Sequence, residues 1–146
     1  MQVEIKIDPN CIETKVTIVT SEITDEINEL TRKISENAPL VLVGFRDDRA
    51  SVLDPEKVIR FYSAEQKVYA VTEDKEYTVR LRLYELEDRL PSGKFVRISN
   101  SEIINLKQIE GFDLSFTGTI CVKFRDRSTS FVSRRYVPKV KKVFGL

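Results

Sequence analysis

The sequence has no histidine and no tryptophan, only two cysteines, five glycines and one methionine, and no long apolar run. Each scarcity removes a class of function. Without histidine there is no imidazole base, no Ser-His or Cys-His pair and no histidine-ligated metal. Cys11 and Cys121 are too few and too far apart for a zinc motif or a disulfide framework. As a small residue in an alternating apolar run, Cys121 reads as core packing rather than as a nucleophile. So few glycines leave no Gly-rich phosphate loop, and no G-x-S-x-G elbow occurs. No stretch approaches the roughly 20 apolar residues of a membrane helix. The opening "MQVEIKID" lacks the apolar core of a secretory signal. The expectation is a cytoplasmic protein that is not an enzyme and uses neither cofactor nor metal.

What is present describes one globular domain with an appendage. The 146 residues are 41% hydrophobic and 32% charged, and the net charge is only +1. That figure hides a division. Residues 1–59 hold seven Lys or Arg against twelve Asp or Glu, a net of −5, and the rest hold 17 against 11, a net of +6. The last 26 residues carry eight basic side chains against Asp126 alone. An acidic front and a basic tail suit contact with a polyanion, and equally a solvated basic face.

Along the chain, "MQVEIKID" and "TKVTIVT" (14–20) alternate apolar with polar residues and predict strands. "SEITDEINELTRKISEN" places Ile23, Ile27, Leu30 and Ile34 on one helical stripe, with Ser21 as N-cap and Asp25 and Glu26 near the positive end of the helix dipole. "PLVLVGFR" predicts a buried strand, and "DDRASVLDPEKV" a polar connection. From Val58 the pattern becomes a meander of short strands, with a turn at "EDK" (73–75). "RLYELEDRLP" predicts one short helix with Leu83, Leu86 and Leu90 inward. "KFVRIS" and "EIINLKQIEGF" are strands around a polar knot, Ser99-Asn100-Ser101. A hairpin follows through Ile120, Val122 and Phe124. The last helix runs from Pro138 to about Val143, which leaves "SRRY" exposed before it.

Two of these polar stretches have side chains suited to nucleic acid. Asn100 can pair with an adenine edge, Ser99 and Ser101 can reach phosphates, and Arg134 and Arg135 carry the donor fork that fits guanine or phosphate. By composition alone, "SNS" serves equally as a turn that caps its own backbone, and "SRRY" as a solvated turn.

Their order says more. A strand hairpin, a short leucine helix ending in Leu-Pro, then F-V-R-I-x-x-S-x-I-x-N, a hydrophobic hairpin and a closing S-R-R-Y resembles the LytTR DNA-binding domain of bacterial transcriptional regulators. The resemblance spans about residues 40–146 and is strongest in "LYELEDRLPSGKFVRISNSEIINLKQI" and "VSRRYVPKVKK". Arg97, Ser101 and Asn105 match the family's strongest pattern. Ser99 stands where a histidine is usual, and Glu102 where an aromatic is usual.

The resemblance implies a mostly β fold with minor α: short antiparallel sheets with a small helix, entering the major groove of double-stranded DNA by loops. It places base-contacting positions at Gln66 and Lys67, at Asn100, and at Arg135 beside the last helix. Arg97 and Lys107 are expected to brace the knot or meet phosphates. Residues 1–39 are too short for a phosphorylated receiver, so a free-standing regulator with a strand–helix extension is expected, the extension being a possible homodimerisation element. Two rivals stay open: a protein–protein module of a signalling pathway, and an RNA binder lacking an exposed aromatic platform.

Overall fold

The computed structural model describes residues 1–35, 40–91 and 93–146 and divides into two units, the first being Met1–Ser35. In that unit the one regular element is helix α1, Asp25–Ser35. It starts four residues after Ser21, with the Thr24 hydroxyl accepting from the Ile27 amide at 3.3 Å. Asp25 and Glu26 lie in its first turn, and Arg32 and Lys33 in its last. The two expected N-terminal strands do not form: residues 1–8 and 14–20 pair with nothing among the described residues. Alternation marks a chain fit for a sheet, but a strand exists only where another supplies its hydrogen bonds. Pro39 lies outside the described residues, and so do residues 36–38 at the end of the predicted helix.

The second unit is built on a seven-stranded antiparallel sheet in the order β2-β1-β5-β4-β3-β7-β6. Its strands are β1 Leu42–Arg46, β2 Arg49–Leu53, β3 Arg60–Ala64, β4 Lys67–Val71, β5 Glu76–Val79, β6 Phe95–Ser99 and β7 Glu102–Asn105. Part of the expected polar connection is thus strand β2, which pairs with β1 through the two-residue turn Asp47-Asp48. Both turn residues have positive φ, 50° and 61°. That is the backbone of a tight hairpin, hidden from the sequence because neither residue is glycine. Gly44 on β1 answers a close approach, since a Cβ there would lie 2.6 Å from Leu53 Cδ1 and 2.9 Å from Tyr77 Cβ.

Helix α2, Leu83–Arg89, covers one face of this sheet as its leucine spacing predicted. Leu83, Leu86 and Leu90 are buried against Phe61, Val68, Ala70, Val79 and Ile103. The other face packs on a three-stranded sheet of β8 Ile109–Asp113, β9 Ile120–Phe124 and β10 Thr129–Val132, and on helix α3, Val137–Phe144. Ile98 and Ile104 meet Ile120, Val122, Phe124 and Val140 there. Adjacent Ile103 and Ile104 therefore feed two different cores, as the period of two in a strand requires. All four residues of β7 are buried, because the sheet is covered on both faces there.

The predicted strand 102–112 is broken into three pieces. After β7 comes a single 3₁₀ turn, Leu106–Gln108, and then β8, which belongs to the second sheet. Asn105 makes the break. Its side chain donates to the carbonyls of Glu56 (3.0 Å) and Val58 (2.8 Å) and accepts from the Lys107 amide (3.1 Å) while 1% exposed. A second buried polar knot joins the sheets. Glu102 Oε1 accepts from Arg60 at 2.8 Å on β3 and from the Ser130 hydroxyl at 2.6 Å on β10. The Glu102 carboxylate is thus paired with a cation and a hydroxyl. The last helix starts one residue before Pro138 and ends one after Val143.

Candidate nucleic-acid interface

Strand register decides which loops share an end of the large sheet. Ala64 pairs with Lys67 across the β3–β4 turn, and Tyr62 pairs with Glu102 across β3 and β7. The Ser63 amide then donates to the Ser101 carbonyl at 2.9 Å. So the turn Glu65-Gln66 and the turn Asn100-Ser101 are neighbours. A third segment joins them after β10: the Ser133 amide donates to the Ile98 carbonyl at 3.0 Å, and Arg134–Tyr136 form a 3₁₀ turn leading straight into α3. The Tyr136 hydroxyl donates to Asn100 Oδ1 at 3.1 Å. Three segments separated by more than 30 residues each in sequence thus meet at one end.

The polar knot is held from behind. Arg97 donates through Nε to the Ser99 carbonyl (3.0 Å), through one Nη to the Asn100 carbonyl (2.7 Å), and through the other to Glu87 of α2 (2.8 Å). Two of its five N–H groups therefore hold the turn, and a third ties it to α2. Ser99 Oγ accepts from the Ser101 amide at 3.2 Å and lies 3.3 Å from Ser101 Oγ, so the serines cap the turn. Asn100 is left exposed with only its oxygen engaged among the described residues. Arg134 lies against the β8–β9 loop, where a Cβ on Gly118 (φ 76°) would come 3.4 Å from its Nε. Arg135 is exposed.

Gln66 and Lys67 are exposed, and Glu65 and Gln66 have φ of 51° and 65°. Two non-glycine residues in the left-handed region make this a strained turn, and such strain gathers at functional positions. Replacing Gln66 with glycine is expected to raise stability by about 1 kcal/mol, seen as a higher melting temperature. The same change should weaken DNA binding if the side chain makes a contact.

Lys107 lies elsewhere. It follows β7 at the end away from Ser101, more than about 10 Å along the strand. Its Nζ is 3.2 Å from Glu56, which Lys94 also meets at 3.2 Å. Those two hydrogen bonds, Lys94's first, hold the Glu56 carboxyl below its usual value. The β4–β5 connection at that far end carries Glu73, Asp74 and Lys75, and β5 opens on Glu76. That end of the sheet thus carries both signs of charge, with Lys57, Lys75 and Arg125 beside Glu73, Asp74 and Asp126. Tyr136 is the residue that sequence reasoning missed; its place in "SRRY" was visible, but not its reach to Asn100.

The family model of the LytTr DNA-binding domain matches residues 48–145. The chain belongs to the LytTR DNA-binding domain family. Among curated relatives, proteins from Staphylococcus aureus strains NCTC 8325 and COL, each named an uncharacterized HTH-type transcriptional regulator, are 31% identical over 142 residues. These alignments cover 97% of this chain and 96% of each relative. A solved LytTr DNA-binding domain of a putative methyl-accepting/DNA response regulator from Bacillus cereus superposes with a TM-score of 0.71 at 22% identity, over 74% of this chain and all of that one. In this LytTR chain, five strands separate α1 from α2 and five more separate α2 from α3, so the described helices form no helix–turn–helix. No described helix is long and apolar enough to cross a membrane.

Proposed function

We propose that this protein is a sequence-specific transcriptional regulator that enters the major groove with three segments: the Gln66-Lys67 turn, the Asn100 turn and the Arg134-Arg135 turn. The observation that carries the reading is their convergence at one sheet end, with Asn100 and Arg135 exposed on a rigid mount. Arg135 supplies the fork for guanine or phosphate. Asn100, its oxygen already accepting from Tyr136, presents its Nδ2 donors, which suits acceptors such as guanine O6 and N7 or a phosphate oxygen. Arg97 and Ser99 position the turn, Ser101 lies beside it within reach of a phosphate, and Lys107 stays off the duplex. Two copies on paired repeat sites complete the reading, and no catalytic role is assigned.

The test is retention of genomic DNA fragments by the purified protein, with sequencing of what is kept. Enrichment of a few promoters supports the reading; no retention at moderate salt favours a protein–protein module instead. Affinity should fall by about 0.9 log units per log unit of salt for each phosphate neutralised. Tyr136→Phe keeps the ring and frees Asn100 Oδ1. It should lower specific affinity by about 1 kcal/mol, the worth of one hydrogen bond, and leave the melting temperature nearly unchanged. A calorimetric titration and a thermal scan of the variant check both halves.

A further inference from the structure

Nine large apolar side chains between Met1 and Ile34 are 38% to 102% exposed, among them Val3 (86%), Ile5 (86%) and Ile7 (87%). At roughly 60–120 Å² of apolar surface per side chain, they offer about as much as the 800 Å² per partner of a standard interface. Val3, Ile5 and Ile7 alternate with Glu4 and Lys6 along a segment that has no strand partner among the described residues, and as a strand it would carry all three on one side. The charges between them say what kind of strand would fit.

We infer that residues 2–8 pair antiparallel with the same residues of a second copy, about a two-fold axis at Ile5. That register sets Glu4 opposite Lys6 of the partner copy twice over, and Val3 opposite Ile7. Cross-strand opposite charges are favourable and like charges unfavourable. Shifting the axis to Glu4 puts two glutamates face to face, and shifting it to Lys6 puts two lysines face to face. A parallel in-register pair makes both clashes. Only the Ile5 register satisfies the pattern, and a foreign strand has no reason to match it.

Helix α1 repeats the logic independently. Its first half carries Asp25, Glu26 and Glu29, and its second half Arg32 and Lys33. Two copies side by side and antiparallel set each acidic half against a basic half, with Ile27, Leu30 and Ile34 along one stripe. A two-stranded ribbon alone is marginal, and the helix pair supplies the cover it needs. This gives a surface to the dimer proposed above, but it stands apart from the DNA reading, because a monomer that still bound one site would overturn the pairing alone.

The experiment is sedimentation of the full chain and of three variants across the micromolar range. The wild type is expected to dimerise. Glu4→Lys and Lys6→Glu each turn both cross-strand pairs repulsive and should weaken the dimer by roughly tenfold or more. The double swap Glu4→Lys with Lys6→Glu restores opposite charges and should return the dimer to near wild-type strength. These residues lie outside the β domain's cores, and a thermal melt of each variant verifies that the domain stays folded. A monomeric wild type, single variants that dimerise normally, or a double swap no stronger than its parents would each overturn the proposal.

Discussion

Asn105→Ala is expected to lower stability by about 3 kcal/mol, as much as the loss of a large core side chain. The amide is 1% exposed and serves two carbonyls and one N–H. Alanine removes the partner of the buried Val58 carbonyl and of the Lys107 amide, while the Glu56 carbonyl keeps its bond from Gln108 Nε2, and each orphaned group costs about 1–3 kcal/mol. The carbonyls of Glu56 and Val58 belong to the crossing that leads into β3, so the change also loosens how that strand enters the sheet. Denaturant unfolding with an unchanged m-value should show the drop. An aspartate at 105 should do little better: it can still accept from the Lys107 amide, but it brings a charge into the core and donates to neither carbonyl. A loss under 1 kcal/mol in the alanine variant would mean that water or a shifted backbone replaces the amide.

Asn100→Ala should do the opposite. The Ser99 hydroxyl caps the turn and Arg97 holds both carbonyls of the loop, so the Asn100 side chain bears little of the local structure. Its removal should move the melting temperature by about a degree or less, since surface substitutions stay within about 0.5 kcal/mol. Specific affinity should fall by about 1–3 kcal/mol if the amide meets a base edge. A thermal melt and a DNA titration on the one variant separate the cases. A destabilised protein with normal affinity per folded molecule would make Asn100 a turn residue and nothing more.

The contrast between the two asparagines shows what the sequence could and could not reveal. Both stand in "ISNSEIIN", five residues apart, and composition treats them alike. Alternation predicted the strands around them and the leucine spacing predicted α2, because these follow from the local period of apolar residues. Apart from the Lys107 amide, the partners of each side chain come from residues 36 to 49 positions away, which no local period encodes. Strand β2 was hidden for another reason. Its residues Arg49 to Val52 are exposed and only Leu53 is buried, so the edge of the sheet shows little alternation. The N-terminal segments failed the other way: their alternation is strong, yet no partner strand lies within the described chain. Arg97 was expected to brace the knot or to meet a phosphate, and its donors are turned inward on the knot.

Which turns meet at one end of the sheet depends likewise on pairing between distant segments. Gln66 and Asn100 look unrelated in sequence until β3 is paired with both β4 and β7, and Arg135 joins them through the Ser133–Ile98 and Tyr136–Asn100 hydrogen bonds. Once they are neighbours, their exposed side chains form a surface that a groove can meet. The resemblance to LytTR domains names the same positions by motif, and the structure shows that they are neighbours.

The most direct test is selection of bound sequences from a library of randomised duplexes, run in parallel on the wild type and on Arg135→Ala. The wild type should enrich one motif. Arg135→Ala should keep most of that motif but lose preference at one base pair, with specific affinity lower by about 1–3 kcal/mol. An unchanged motif at unchanged affinity, or no motif for the wild type, would contradict the claim that these converging turns read DNA.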